Sequence, residues 1–241
     1  MPTVLVTGAS RGLGLELVRQ YAVDGWDVIA CARDPQRATA LAGLAATRGG
    51  GHVEVEPLDL VDSGSIAALA ARLGERPIDV LLNSAGTMGR GSFAAEGIAF
   101  GRFGSCDPDD WLEVYRVNVI APMQLAETLV GNVARSAQRK IVSLTSVIGS
   151  IGGNTAGSLY KYRASKAALN AVMRSMAIDL AASHGIVAVP LHPGWTRTDM
   201  GGPRATLDVV TSVRGMRAVI AGLTPEKAGR FWAYDGSELP W

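Results

Sequence analysis

Tyr162 and Lys166 stand one helical turn apart in the run Tyr-Arg-Ala-Ser-Lys, with Ser146 ahead of them in the chain. Side chains at i and i+4 rise from the same helix face, so a phenol and an ammonium can meet over one substrate atom. That pairing suits acid–base chemistry. A phenol with a pKa of about 10 moves protons poorly at neutral pH, until a nearby cation stabilises its phenolate. Lys166 is placed to be that cation. The plainer alternative is a half-buried helix aromatic beside a solvated charge, so the surrounding motifs must decide. Tyr160 is a rival phenol, but four residues beyond it stands Ala164, which brings no cation.

A second chemical signal lies near the start, in Thr7-Gly8-Ala9-Ser10-Arg11-Gly12-Leu13-Gly14, which follows a short apolar run and opens a helix-patterned segment. Glycines let the backbone turn tightly and approach a pyrophosphate, whose charge is met by amides and the positive end of the helix dipole. The spacing Gly-x-x-x-Gly-x-Gly differs from the common Gly-x-Gly-x-x-Gly, so shared physics supports the assignment and that pattern does not. A plain strand-to-helix turn would need one glycine only. After the second strand an acid would bind the ribose hydroxyls of NAD and repel a 2′-phosphate. Here the residues are Cys31-Ala32-Arg33. With the acid absent, Arg33 and Arg11 offer two guanidiniums to that phosphate, which predicts NADPH; the alternative is two ordinary surface arginines.

Elements of matching pattern must position these groups. Short aliphatic runs at 3–7, 27–32, 52–57, 80–83, 140–144, 187–191 and 230–234 read as seven strands. They alternate with Ala/Leu-rich segments of helical period, the signature of a parallel sheet covered on both faces. Leu13, Leu17, Val18 and Tyr21 make one apolar helix face, and Ala164, Ala167, Ala168, Ala171, Val172 and Ser175 a small-residue face. The expected fold is an α/β, doubly wound, Rossmann-like parallel sheet of seven strands forming a single domain over residues 1–241. Gly-rich stretches at about 87–108 and 195–206 follow predicted strands and are the candidate substrate-covering loops. Met88, Phe93, Phe100, Phe103 and Trp195 suggest an apolar pocket there, or simply loop core.

Composition narrows the function classes. The 241 residues are 48% hydrophobic, enough for a large core. Charges nearly cancel, 23 basic against 22 acidic, with no basic stripe, so a nucleic-acid partner is not expected. Cys31 and Cys106 form neither a disulfide framework nor a metal pattern. His192 has no evident partner for a metal or triad role and reads as structural, so no metal is expected. Met1-Pro2 passes straight into the first apolar run without a basic leader, and every apolar stretch is interrupted well short of the roughly 20 residues that span a bilayer. A cytoplasmic chain with no membrane partner is the expectation.

Six ordered motifs give the chain a family resemblance along nearly its whole length: Thr7–Gly14, Asn83-Ser84-Ala85-Gly86, Val117-Asn118-Val119, Leu144-Thr145-Ser146, Tyr162–Lys166 and Pro193-Gly194. It resembles the short-chain dehydrogenases/reductases, and Ser146-Val147-Ile148-Gly149-Ser150, His192-Pro193-Gly194-Trp195 and the closing Pro240-Trp241 are similar to the carbonyl-reductase-like branch with sniffer and C-factor proteins. The resemblance implies a catalytic tetrad. Ser146 would bind the carbonyl oxygen and Tyr162 would donate the proton. Lys166 would hold the nicotinamide ribose and lower the phenol's pKa, and Asn118 would anchor a water joining Lys166 to solvent. It also implies NADP(H) contacts from Gly8, Ser10, Arg11, Gly12, Leu13, Gly14, Arg33, Asp59, Leu60, Asn83, Ala85, Gly86, Tyr162, Lys166, Pro193, Gly194, Thr196 and Thr198. Asp59, Asn83 and Thr198 each have a duller alternative as a helix cap or turn staple.

The implied activity is reversible NADPH-dependent reduction of an aldehyde or ketone, in a homodimer or homotetramer built through helices near 112–133 and 162–182. A noncatalytic dinucleotide-binding signalling protein of C-factor type is the alternative. A nucleotide-sugar epimerase or dehydratase is disfavoured by the short stretch after the sixth strand. The Ser146-to-Tyr162 separation is a few residues longer than in most of the family, which leaves the shape of the 149–159 loop open.

Overall fold

In the first strand, β1 (Thr3–Thr7), all five residues are buried, so both of its faces must meet apolar partners. Val4 and Val6 point into one helix layer and Leu5 into the other, as the two-residue period requires. The computed structural model describes residues 1–46, 50–91, 93–96 and 100–241. The remaining strands are β2 (Asp27–Ala32), β3 (Val53–Pro57), β4 (Val80–Asn83), β5 (Lys140–Leu144), β6 (Val187–His192) and β7 (Trp232–Ala233). They pair in parallel in the order β3-β2-β1-β4-β5-β6-β7. This is the doubly wound sheet expected. The last strand is shorter than 230–234 because Asp235-Gly236 turns the chain back, so the Ala233 amide bonds the Ser237 carbonyl.

One face carries α1 (Gly12–Val23), α2 (Thr39–Ala45) and α8 (Val209–Ala221), which bury Leu17, Tyr21, Leu41, Val213 and Met216. The other carries α3 (Ser63–Leu73), α6 (Ala121–Ala134) and α7 (Tyr160–His184), which bury Leu69, Leu125, Leu129, Leu169 and Met173. A short α4 (Phe93–Glu96) interrupts the first long loop. Residues 92 and 97–99 of the expected 87–108 loop lie outside the described residues. Among the described residues no helix is long and apolar enough to cross a membrane.

The helix expected over 112–133 is three pieces: α5 (Pro108–Tyr115), a π-turn at Arg116–Ile120, and α6. Pro122 supplies the reason. It has no N–H to give the Asn118 carbonyl four residues back, and the Ala121 amide instead reaches the Arg116 carbonyl five residues back. Such bulges recur at functional sites, and this one places Asn118 among buried neighbours.

The strand order reverses between β2-β1 and β4, and ligands of open α/β sheets lie beyond the strand ends at that crevice.

Candidate active site

Thr7, at the end of β1, holds the crevice in register, its hydroxyl accepting from the amides of Ser84 and Ala85, both at 3.1 Å. Next to it the Gly-rich loop turns into α1. A methyl built on Gly14 would lie 2.2 Å from the Gly8 carbonyl oxygen, so only glycine lets helix and loop pack this closely. No side chain caps the first turn of α1, which leaves its orphan amides to a ligand. The cavity in front has a volume of about 1150 Å³, beyond the roughly 300–1,000 Å³ of a drug-sized pocket. Close-packed glycine backbone, uncapped amides, and Arg11 and Arg33 on the wall, with Ala32 and Arg33 rather than an acid at the end of β2, fit an NADP(H)-sized ligand.

On that wall stand Gly8, Ser10, Arg11, Gly12, Leu13, Gly14, Arg33, Asp59, Leu60, Ala85, Gly86, Tyr162, Lys166, Pro193 and Thr198. Asn83, Gly194, Thr196, Asn118 and Ser146 are not on it. Asn83 is buried behind the wall, its Nδ2 donating to Ser143 Oγ at 3.1 Å, so it ties β4 to β5. Thr196 is buried and donates to the Pro193 and Gly194 carbonyls.

Tyr162 and Lys166 do share a face, with Lys166 Nζ 5.6 Å from the Tyr162 ring centroid. Lys166 is only 3% exposed, and its ammonium donates to the Leu144 carbonyl at 2.8 Å. Burial lowers its pKa to about 8. The expectation that Lys166 brings the phenol's pKa down is not met in this geometry. Burial pushes Tyr162 up to about 12, and the opposing pull is a hydrogen bond with Ser146, not the lysine charge. Ser146 heads a short turn, its hydroxyl accepting from the Ile148 amide at 3.3 Å. Gly149 lets that turn rest on α7, since a methyl there would come within 2.8 Å of Lys166 Cβ. Asn118 accepts from the Thr87 amide and donates to the Thr87 carbonyl, both at 2.8 Å, and to Ser165 Oγ at 3.1 Å. Its Oδ1 and Lys166 Nζ converge on Gly86, 3.4 and 3.5 Å from where a methyl would sit. Both Nδ2 protons of Asn118 and one acceptor site of its Oδ1 are thus taken by the protein, a pairing that sequence spacing does not reveal.

The family description of short chain dehydrogenases matches residues 2–207. The chain belongs to that family. It is similar to C-signal of Myxococcus xanthus, 42% identical over 174 residues, which cover 72% of this chain and 99% of that protein. Two solved structures are also close: carbonyl reductase Sniffer of D. melanogaster (TM-score 0.87, 32% identity, all of both chains) and NADPH-bound carbonyl reductase from chicken fatty liver (TM-score 0.88, 33% identity, all of this chain and 99% of that one).

Other members of the site in this short-chain dehydrogenase were not foreseen. Val61, Arg116 and Arg197 also line the cavity with no sequence signal beyond nearness to a motif, and so do Val117 and Thr145, which lie inside motifs that assign them no role. Arg11 bonds Asp199 Oδ2 at 2.7 Å across the cavity mouth, a pairing between residues 188 positions apart, whereas Arg33 has no ion pair among the described residues. Asp59 makes a tight turn by accepting from the Val61 amide at 3.1 Å; the cap of α3 is Asp62. Tyr160 packs edge-on against Phe103 and lines a second cavity of about 630 Å³ with Phe100, Trp111 and Lys161. Only Phe100 and Phe103 of the five expected pocket residues line that cavity, and the buried Lys161–Asp110 pair makes it partly polar. Trp195 instead donates to the Gly201 carbonyl within its own loop. Burial holds His192 down to about 4 against the pull of Asp235, so it stays neutral. Among the described residues no cluster of metal ligands forms.

Proposed function

We propose that this chain is an NADPH-dependent oxidoreductase that reduces an aldehyde or ketone to an alcohol, reversibly. The observation that carries this is the placement of Tyr162 and Lys166 in the wall of one cavity with the uncapped glycine loop. Gly8 to Gly14 hold the pyrophosphate, Arg33 and Arg11 the 2′-phosphate, Asp59 and Leu60 the adenine side, and Ala85 and Gly86 the ribose. Asn83, Gly194 and Thr196 act from behind, by keeping those strand ends in place. When bound, the nicotinamide supplies the hydride.

Tyr162 is protonated at neutral pH, as a proton donor to a developing alkoxide must be. Ser146, whose hydroxyl pulls against the burial shift of Tyr162, holds the same oxygen, so two preorganised hydroxyls meet the growing negative charge. Lys166, with a pKa near 8, lies close to working pH and can exchange protons on the Tyr162 side, while Asn118 keeps the wall beside it in shape. The loops around 87–108 and 195–206 cover the substrate. Assembly as a homodimer or homotetramer in the cytoplasm accompanies this reading, and Leu112, Ile120, Met123 and Ile178 are exposed on the helices concerned.

A second reading, a dinucleotide-binding signalling protein without turnover, draws support from the likeness to C-signal. One experiment separates them: NADPH oxidation by the purified protein against a panel of aldehydes and ketones. Turnover that disappears in Tyr162→Phe, with NADPH still bound, supports the reductase. No oxidation with any carbonyl, or wild-type rates in Tyr162→Phe, overturns it.

A further inference from the structure

Three consecutive residues just ahead of α7 adopt left-handed backbone: Gly157 at φ 64°, Ser158 at φ 58° and Leu159 at φ 53°. Glycine does this freely, but Ser158 and Leu159 bear a Cβ that crowds the following carbonyl. Such backbone persists only where surrounding contacts over-determine it, and it gathers at functional sites. Asn154 Oδ1 accepts from the Gly157 amide at 3.0 Å and Gly101 packs on the Leu159 backbone, while one side chain reaches both carbonyls of the turn. Arg163 Nε shares its proton between the Gly157 and Ser158 carbonyls, both at 3.0 Å, and its Nη1 donates to the Ile148 carbonyl at 3.1 Å. Its own amide bonds the Leu159 carbonyl at 2.8 Å, closing the first turn of the helix.

Ile148 belongs to the turn headed by Ser146, and Arg163 is the immediate neighbour of Tyr162. One guanidinium therefore joins the strained turn that launches α7 to the turn that carries Ser146. Lysine could not reproduce this, because it lacks the planar fork that reaches carbonyls on two segments.

We propose that Arg163 is a positioning residue: it stabilises the left-handed 157–159 turn and pins it to the Ser146 turn, and so sets the distance between the Ser146 and Tyr162 hydroxyls. This rests on the reductase reading of the site. None of its contacts touches the glycine loop, where the pyrophosphate is held, so most of the cofactor affinity lies outside its reach.

The test measures kcat, KM and NADPH Kd for Arg163→Ala, Arg163→Lys and the double variant Arg163→Ala/Leu159→Gly. A displacement of about 1 Å between reacting groups can cost on the order of 100-fold in rate, so Arg163→Ala is expected to lose roughly that much kcat. Its NADPH Kd should stay within about twofold of wild type, a factor worth only a few tenths of a kcal/mol. Arg163→Lys should fall between the two. Glycine at 159 accepts left-handed backbone without penalty and should recover about tenfold in the double variant. A wild-type kcat in Arg163→Ala, a parallel loss of NADPH affinity, or no recovery with glycine overturns the proposal. If Arg163→Ala does not fold, the kcat of Arg163→Lys decides alone, a wild-type value overturning the proposal. Failure of the reductase reading shows separately, as undiminished turnover in Tyr162→Phe.

Discussion

Replacing Lys166 by Met should make the protein more stable at neutral pH and inactive. The ammonium is buried with a carbonyl as its only hydrogen-bond partner among the described residues, and burial lowers its pKa from 10.5 to about 8. At 1.36 kcal/mol per pKa unit, holding that charge in the fold costs about 3 kcal/mol at pH 7. The variant also gives up the bond to Leu144, worth roughly 1 kcal/mol, so the net gain is about 2 kcal/mol. For a chain of this length that corresponds to a rise of roughly 4–8 °C in Tm. The sign with pH follows from linkage. Between about 8 and 10.5 the unfolded chain holds a proton on Lys166 that the folded chain has shed, so wild-type stability gains with rising pH relative to the variant. The Tm difference is therefore largest at pH 7 and closes near pH 10. Thermal melts of both proteins at several pH values give the difference directly, because every other titrating group is shared. A gap that stays constant with pH, or a variant less stable at pH 7, would refute the buried-charge argument. A variant that kept full turnover would remove Lys166 from the chemistry.

Gly14→Ala would set a methyl 2.2 Å from a backbone oxygen; with no flexible side chain to yield, it should lower stability by about 1–3 kcal/mol and abolish NADPH binding, seen together in a melt and a fluorescence titration. Arg33→Gln should erode the preference for NADPH over NADH by kcat/KM, and an unchanged ratio would refute its phosphate role. Asp199→Asn frees Arg11 from a pair whose partners are 77% and 79% exposed, so NADPH should bind tighter, by no more than about fivefold, the ceiling for an exposed ion pair.

The fold was largely legible because its signals are local. Unbroken apolar runs such as Val4-Leu5-Val6 state that both faces are covered, and six of the seven strands appear within one residue of the expected bounds. The π-turn at Arg116–Ile120 was missed, although Pro122 carried the clue in its missing amide. Asp235-Gly236, which cuts β7 short, was likewise in plain view.

The site divides along the same line. Tyr162 with Lys166, and Gly8 with Gly12 and Gly14, are separations within one turn or one loop, so covalent geometry and helical period place them before any tertiary contact forms. The depth at which Lys166 lies, the pKa of Tyr162, the Thr87 and Ser165 partners of Asn118, the Asp199 partner of Arg11 and the grip of Arg163 on Ile148 were decided only by the assembled structure. Each depends on segments distant in the chain being brought together by the sheet. Desolvation and hydrogen-bond partnership are properties of that meeting, and no single segment contains them.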